Sequence, residues 1–127
     1  MSPCWQEHEE REWVRLPPSA AHVLADMIEP GWTVDAACVS IDPELWFPAE
    51  GGTTPRAVLE ICASCPVRAS CLASAIVNVE DGIWGGVQER PRRRARVQIA
   101  HGDDPLVVLD AMLDQATETD TRRRVAA

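Results

Sequence analysis

The 127-residue chain has no tyrosine, one phenylalanine and no lysine. With ten prolines and seven glycines scattered between short apolar runs, a packed core alone is marginal, and a staple is expected. The three histidines, at positions 8, 22 and 101, do not stand at ligand spacing to any cysteine. Nowhere do about eighteen apolar residues run together, so no membrane association is predicted. The acidic start MSPCWQEHEEREW has no apolar stretch of the kind a secretory signal needs, and a cytoplasmic protein is expected. A Ser-His-Asp set, a phosphate-binding glycine loop and paired catalytic carboxylates are all missing. An enzyme acting on a small-molecule substrate is therefore not expected.

What the chain does have is cysteine. Cys38, Cys62, Cys65 and Cys71 stand at C-x23-C-x2-C-x5-C, and Cys4 lies apart on an N-terminal segment read as a flexible arm. In a reducing compartment closely spaced thiols are more often metal ligands than disulfides, and five is an odd number. Zinc and a 4Fe-4S cluster both accept four thiolates, and spacing alone leaves both open. Thiol-disulfide exchange through Cys62 and Cys65 is a weaker alternative, because that motif follows a strand and here helix is predicted on both sides.

Around these cysteines the pattern is helical. Ser19 is predicted to cap a helix over 19–29, with Ala20, Val23, Leu24, Met27 and Ile28 on one face and Pro30-Gly31 ending it. Asp42-Pro43 predicts one capped turn through Trp46, and Thr54-Pro55 a helix to about Cys62. Cys65-Pro66 opens a helix over 66–80, with Gly82 as its C-terminal cap before a glycine-rich turn, Ile83-Trp84-Gly85-Gly86. Net charge is -8, yet residues 90–96, RPRRRAR, carry five of the twelve arginines and no acid. Pro91 interrupts this run, so an extended segment is read there as readily as a helix. Asp104-Pro105 starts a further amphipathic helix through Leu113, and the last residues have no apolar face.

Five motifs in order, Trp32-x5-Cys38, DPELWFP (Asp42 to Pro48), ICASCPVRASCL (Ile61 to Leu72), GIWGG (Gly82 to Gly86) and the arginine-rich stretch, resemble the WhiB-like proteins of actinobacteria and their phages. The resemblance covers about residues 32 to 96. It implies an all-α fold, a small bundle of short helices wrapped around a 4Fe-4S cluster held by Cys38, Cys62, Cys65 and Cys71, with a flexible basic segment behind the turn. It also implies a transcriptional regulator whose cluster senses redox state or nitric oxide, and which binds the C-terminal domain of the primary sigma factor and promoter DNA.

Under that resemblance the chain divides into an arm and short helix (1–30), the cluster domain (31–88), a DNA-contacting segment (89–101) and a C-terminal extension (102–127). Partner contact falls to Trp46, Phe47, Gly82, Ile83, Trp84, Gly85 and Gly86, with Trp84 as the aromatic anchor. DNA contact falls to Arg90, Arg92, Arg93, Arg94 and Arg96. Arg68 lies within the apolar arc of its helix. It is expected to compensate the negative charge of a cluster or to pair with Glu44 or Glu60.

Overall fold

The computed structural model describes residues 13–49 and 52–114. Helix α1 (Pro18–Ala25) is followed by two 3-10 turns, Trp32–Asp35 and Pro43–Trp46, then by α2 (Arg56–Ala63), α3 (Arg68–Asn78) and α4 (Glu89–Ala100). A fifth helix, α5, covers residues 105–114. Among the described residues the only β-type pairing is the Trp84–Val87 bridge, so the architecture is helical as predicted. No single helix among them is long and apolar enough to cross a membrane.

The centre of the fold is α3, which packs against both α1 and α4. Its small residues let its neighbours approach closely. Leu72, Ala73 and Ile76 are sealed from solvent and join Leu16, Leu24, Ala95, Ile99, Leu109 and Met112 in one core. Buried Ser70 ties α3 to the chain leaving α1, its hydroxyl donating to the Met27 carbonyl and accepting from the Glu29 amide, each at 3.2 Å. Trp46, Val58, Cys62 and Ile83 form a second, smaller core, with Cys38, Ile41 and Ile61 packed against it.

Several boundaries differ from those predicted. Helix α1 starts at Pro18 with Pro17 in the cap position and no side-chain cap, so Ser19 sits inside it. It ends at Ala25, and the Met27 and Ile28 amides reach back three residues to Leu24 and Ala25 in a tightened turn. The Asp42 cap is present, its carboxylate accepting the Glu44 amide at 3.0 Å. Helix α2 is capped by Pro55 rather than Thr54, whose hydroxyl instead accepts from Gln88 at 2.9 Å. Helix α3 starts at Arg68 rather than Pro66 and closes at Val79, not Gly82. Val79 takes the left-handed conformation (φ 57°) usually left to glycine, while its amide bonds to the Ala75 carbonyl.

The largest correction concerns residues 89–101. Pro91 does not break the run, because it falls in the first turn of α4, where backbone amides have no intrahelical partner to lose. The segment is a regular helix whose Ala95, Val97 and Ile99 are buried, and α5 packs into the same core through Val108, Leu109 and Met112. Residues 13–16, read as part of the flexible arm, are packed: Leu16 is in the core, and the guanidinium groups of Arg92 and Arg93 lie over the Trp13 ring, at 5.8 and 5.6 Å. Cys4, and the readings of residues 1–12 and 115–127, lie outside the described residues.

Candidate metal centre and the turn above it

All four predicted cysteines line one cavity of about 310 Å³. Each arrives by a different route. Cys38 follows the first 3-10 turn, Cys62 is in the last turn of α2, Cys65 is in the sharp link between α2 and α3, and Cys71 is in the first turn of α3. The link is held by the Cys65 amide on the Cys62 carbonyl at 3.2 Å. The Ala37 amide donates to the Cys65 sulfur at 3.5 Å, which draws the Cys38 segment onto the others.

The cavity wall is largely apolar, with Trp32, Pro43, Trp46, Ile61, Ile83 and Trp84 contributing. None of the four cysteines is in a disulfide. Burial pushes the Cys71 thiol up to about 12, against a hydrogen bond from the Gly85 amide that favours the thiolate. Burial also raises Cys62, against hydrogen bonds from the Trp46 indole and the Gly86 amide. Both thiols therefore keep their protons at neutral pH unless a metal displaces them. A nucleophilic redox cysteine requires the opposite shift. Among the described residues, no three His, Cys, Asp or Glu side chains are gathered tightly enough to hold a single ion.

The residues assigned to partner contact divide in two. Trp46, Gly82, Ile83 and Gly85 are buried, and Trp46 faces the thiols rather than solvent. Phe47 is 53% exposed, and Trp84 and Gly86 are half-buried. The Trp84 indole is set edge-on to Trp32 at 6.2 Å and donates to the Asp81 carbonyl at 2.8 Å. Phe47, Trp32 and Trp84 thus form an aromatic rim at the cavity.

The arginines divide in the same way. Arg92 is completely buried and donates to the carbonyls of Gln88, Glu80 and Gly82. Burial lowers it to about 10, which leaves it charged at neutral pH. Arg96, 5% exposed, donates to the carbonyls of Val14 and Ile76. These two are structural and are withdrawn from the DNA-contacting set. Arg90 and Arg94 are exposed, and Arg93 is half-buried beside Glu89 at 3.3 Å. Arg68 neither points freely to solvent nor stays remote from the site: it lines the cavity, and its Nε donates to the Gly85 carbonyl at 3.1 Å.

Sequence reasoning passed over Glu89 and Gln88. The Glu89 carboxylate accepts the Gly82 amide at 2.8 Å, and the Gln88 amide donates to Gly52 and Thr54. The signal for the buried arginines was present: Arg92, Ala95, Arg96 and Ile99 fall on one helical face once the helix is allowed to run through Pro91.

A helical domain that gathers four thiols under an aromatic-rimmed turn and carries an arginine-rich helix behind it is a cysteine-centred helical module. The profile of the family described as Transcription factor WhiB matches residues 32–95. The transcriptional regulator WhiB of Streptomyces coelicolor is 48% identical over 69 residues, covering 54% of this chain and 78% of that protein. WhiB2 of Mycolicibacterium smegmatis is 41% identical over 87 residues, covering 68% and 67%. WhiB2 of Mycobacterium tuberculosis is 47% identical over 66 residues, covering 51% and 73%. The chain belongs to the WhiB family of transcriptional regulators. No solved structure matches it.

Proposed function

We propose that Cys38, Cys62, Cys65 and Cys71 hold one 4Fe-4S cluster, and that the loaded protein binds the C-terminal domain of the primary sigma factor and contacts promoter DNA beside it. The observation that carries this reading is the convergence of all four thiols on one apolar cavity of about 310 Å³. A single zinc ion enclosed by four sulfurs at about 2.3 Å needs no such volume. A four-iron cluster with its sulfides does, and its thiolate ligands suit the donor set. When bound, the cluster supplies a redox-active centre open to oxygen and nitric oxide.

The chain's own residues do the rest. Phe47 and Trp84, with Trp32 behind, present the aromatic surface that a sigma-factor domain would cover. Arg90, Arg93 and Arg94 supply the phosphate contacts, and Arg94 and Arg90 are the more exposed of the three. Such contacts are weak alone. Tethering to a sigma factor already at a promoter raises their effective concentration.

The test is co-expression with the primary sigma factor under anaerobic conditions, followed by metal and sulfide analysis of the complex. About four iron and four sulfide per chain is the expected result. Colourless protein with one zinc would replace the reading by a zinc-stabilised interaction module, and dithiol turnover lost in Cys62→Ser but kept in Cys38→Ser would replace it by a disulfide reductase.

A further inference from the structure

The turn from Gly82 to Val87 is tied down at both ends. The Gly82 amide donates to Glu89 at 2.8 Å, and the Ile83 amide to the Trp46 carbonyl at 2.7 Å. Trp84 and Val87 exchange both of their bonds at 3.0 Å. Gly85 lies between them in the wall of the cavity that holds Cys71 and Cys62, and the Gly85 and Gly86 amides favour the thiolate forms of those two cysteines. Backbone amides aimed at ligand sulfurs are a principal means by which a protein sets the stability and potential of a thiolate-bound centre.

What holds those two amides in place comes from outside the turn. Arg92 reaches from α4 to the carbonyls of Glu80, at 2.9 Å, and Gly82, while its Nε is fixed on Gln88 at 3.2 Å within its own helix. Its side chain is completely buried, so the guanidinium has no solvent to turn to. A planar fork reaching two carbonyls at once fixes orientation as well as position. Phe47 and the Trp46 carbonyl close on Gly82 from the opposite side, where an added Cβ would lie 2.7 and 2.8 Å from them.

We propose that Arg92 is a positioning residue of the thiol site: by pinning the Glu80 and Gly82 carbonyls it fixes the turn that walls the cavity of the four thiols at Trp84 and Gly85. The helix that bears the exposed arginines is thereby attached, through Arg92 and Glu89, to the turn beside the thiols. A change at the thiols that loosens this wall of their cavity also loosens the hold of the turn on α4. For the cluster-loaded protein this rests on the reading under Proposed function, whereas for the free thiols it stands without it.

The experiment compares amide hydrogen exchange in the reduced, ¹⁵N-labelled full chain with that in Arg92→Gln, Arg92→Lys and the surface control Gln98→Ala. Exchange at Gly85 and Gly86 should quicken about tenfold or more in Arg92→Gln, with Leu72 and Ile76 in α3 unchanged. Arg92→Lys should fall between, since one ammonium cannot span both carbonyls. Unchanged exchange at the two glycines, or acceleration spread evenly along the chain, would overturn the proposal. If Arg92→Gln does not fold, Glu89→Ala removes the other α4 contact to Gly82 and should quicken the same two amides, and unchanged exchange there would again overturn it. In parallel, anaerobically reconstituted protein should lose its visible absorbance in air several-fold faster in Arg92→Gln than in wild type. Wild-type protein without iron or sulfide would overturn the cluster reading, while the exchange measurement would still decide the role of Arg92.

Discussion

The guanidinium Nε of Arg96 donates to the carbonyl of Val14 at 2.7 Å, across 82 positions of sequence. The same side chain reaches the carbonyl of Ile76 in α3. One residue of the arginine-rich run thus joins the N-terminal strap, the central helix and α4, in a place where solvent cannot replace it. Arg96→Ala would leave buried carbonyls unsatisfied, and a loss of about 2–4 kcal/mol is expected. Arg94→Ala, on the exposed side of the same helix, should stay within about 0.5 kcal/mol, and urea unfolding of the two variants checks the contrast.

Gly82 is the glycine whose replacement should cost most. It combines a φ of 86° with contacts that a Cβ would bring to 2.7 Å of the Phe47 ring and 2.8 Å of the Trp46 carbonyl. Gly31 has a similar φ of 72° and nothing within 4 Å. Gly31→Ala should therefore cost only the backbone strain, about 1 kcal/mol, and Gly82→Ala about 2–4 kcal/mol more. Thermal unfolding would show similar losses at the two sites if backbone strain alone governed both.

The free-thiol form should weaken in alkali. In the folded chain, burial holds the Cys71 thiol at about 12 against an ordinary value of 9.0, and it also raises Cys62. A thiol whose folded value lies above its unfolded one binds more protons when folded, so its contribution is fully present below pH 9.0 and is lost as pH rises toward about 12. Stability of the reduced, metal-free chain in urea should fall steadily above that lower limit, and Cys71→Ser should flatten most of the fall.

If α4 meets DNA, it does so with its outer face. Removing Arg90 or Arg94 should weaken binding to unrelated sequences alike and reduce the salt slope by about one each. A larger loss from a folded Arg92 variant than from either of these would contradict the division of the run into buried and exposed members.

Much of this organisation was legible in the sequence. The four thiols needed only their spacing and the motifs around them to be grouped in one cavity, because the chemistry of a thiol is displayed by side-chain identity. Asp42-Pro43 displayed its turn for the same reason, as a cap acts over two residues. The fate of the arginine run was only half legible: the spacing of Arg92, Ala95, Arg96 and Ile99 marks one helical face, but charge says where a residue is cheap to solvate and not where a carbonyl waits for it. Arg92 and Arg96 are held by the carbonyls of Glu80, Gly82, Val14 and Ile76, which no local pattern reveals. Trp46 was misread similarly: beside exposed Phe47 it looked like half of a contact surface, yet it is core and packs with Cys62. Val79 closes α3 in a conformation that sequence rules assign to glycine, and the true glycines lie further on, where the turn meets the thiols.

Trp84 should separate partner binding from metal binding. Trp84→Ala removes half of the edge-on pair with Trp32 while leaving the Gly85 and Gly86 amides in the backbone. Loss of sigma-factor copurification with the visible spectrum intact is expected, and pull-down under anaerobic conditions measures it.

The central claim, that these four thiols hold one iron-sulfur cluster, is tested most directly by metal and sulfide analysis of anaerobically purified full-length protein and its single Cys→Ser variants. Wild type and Cys4→Ser should each carry about four iron and four sulfide per chain, and changes at Cys38, Cys62, Cys65 or Cys71 should each abolish or sharply reduce both. One zinc without sulfide in the wild type, or full iron retained in Cys38→Ser, would contradict it.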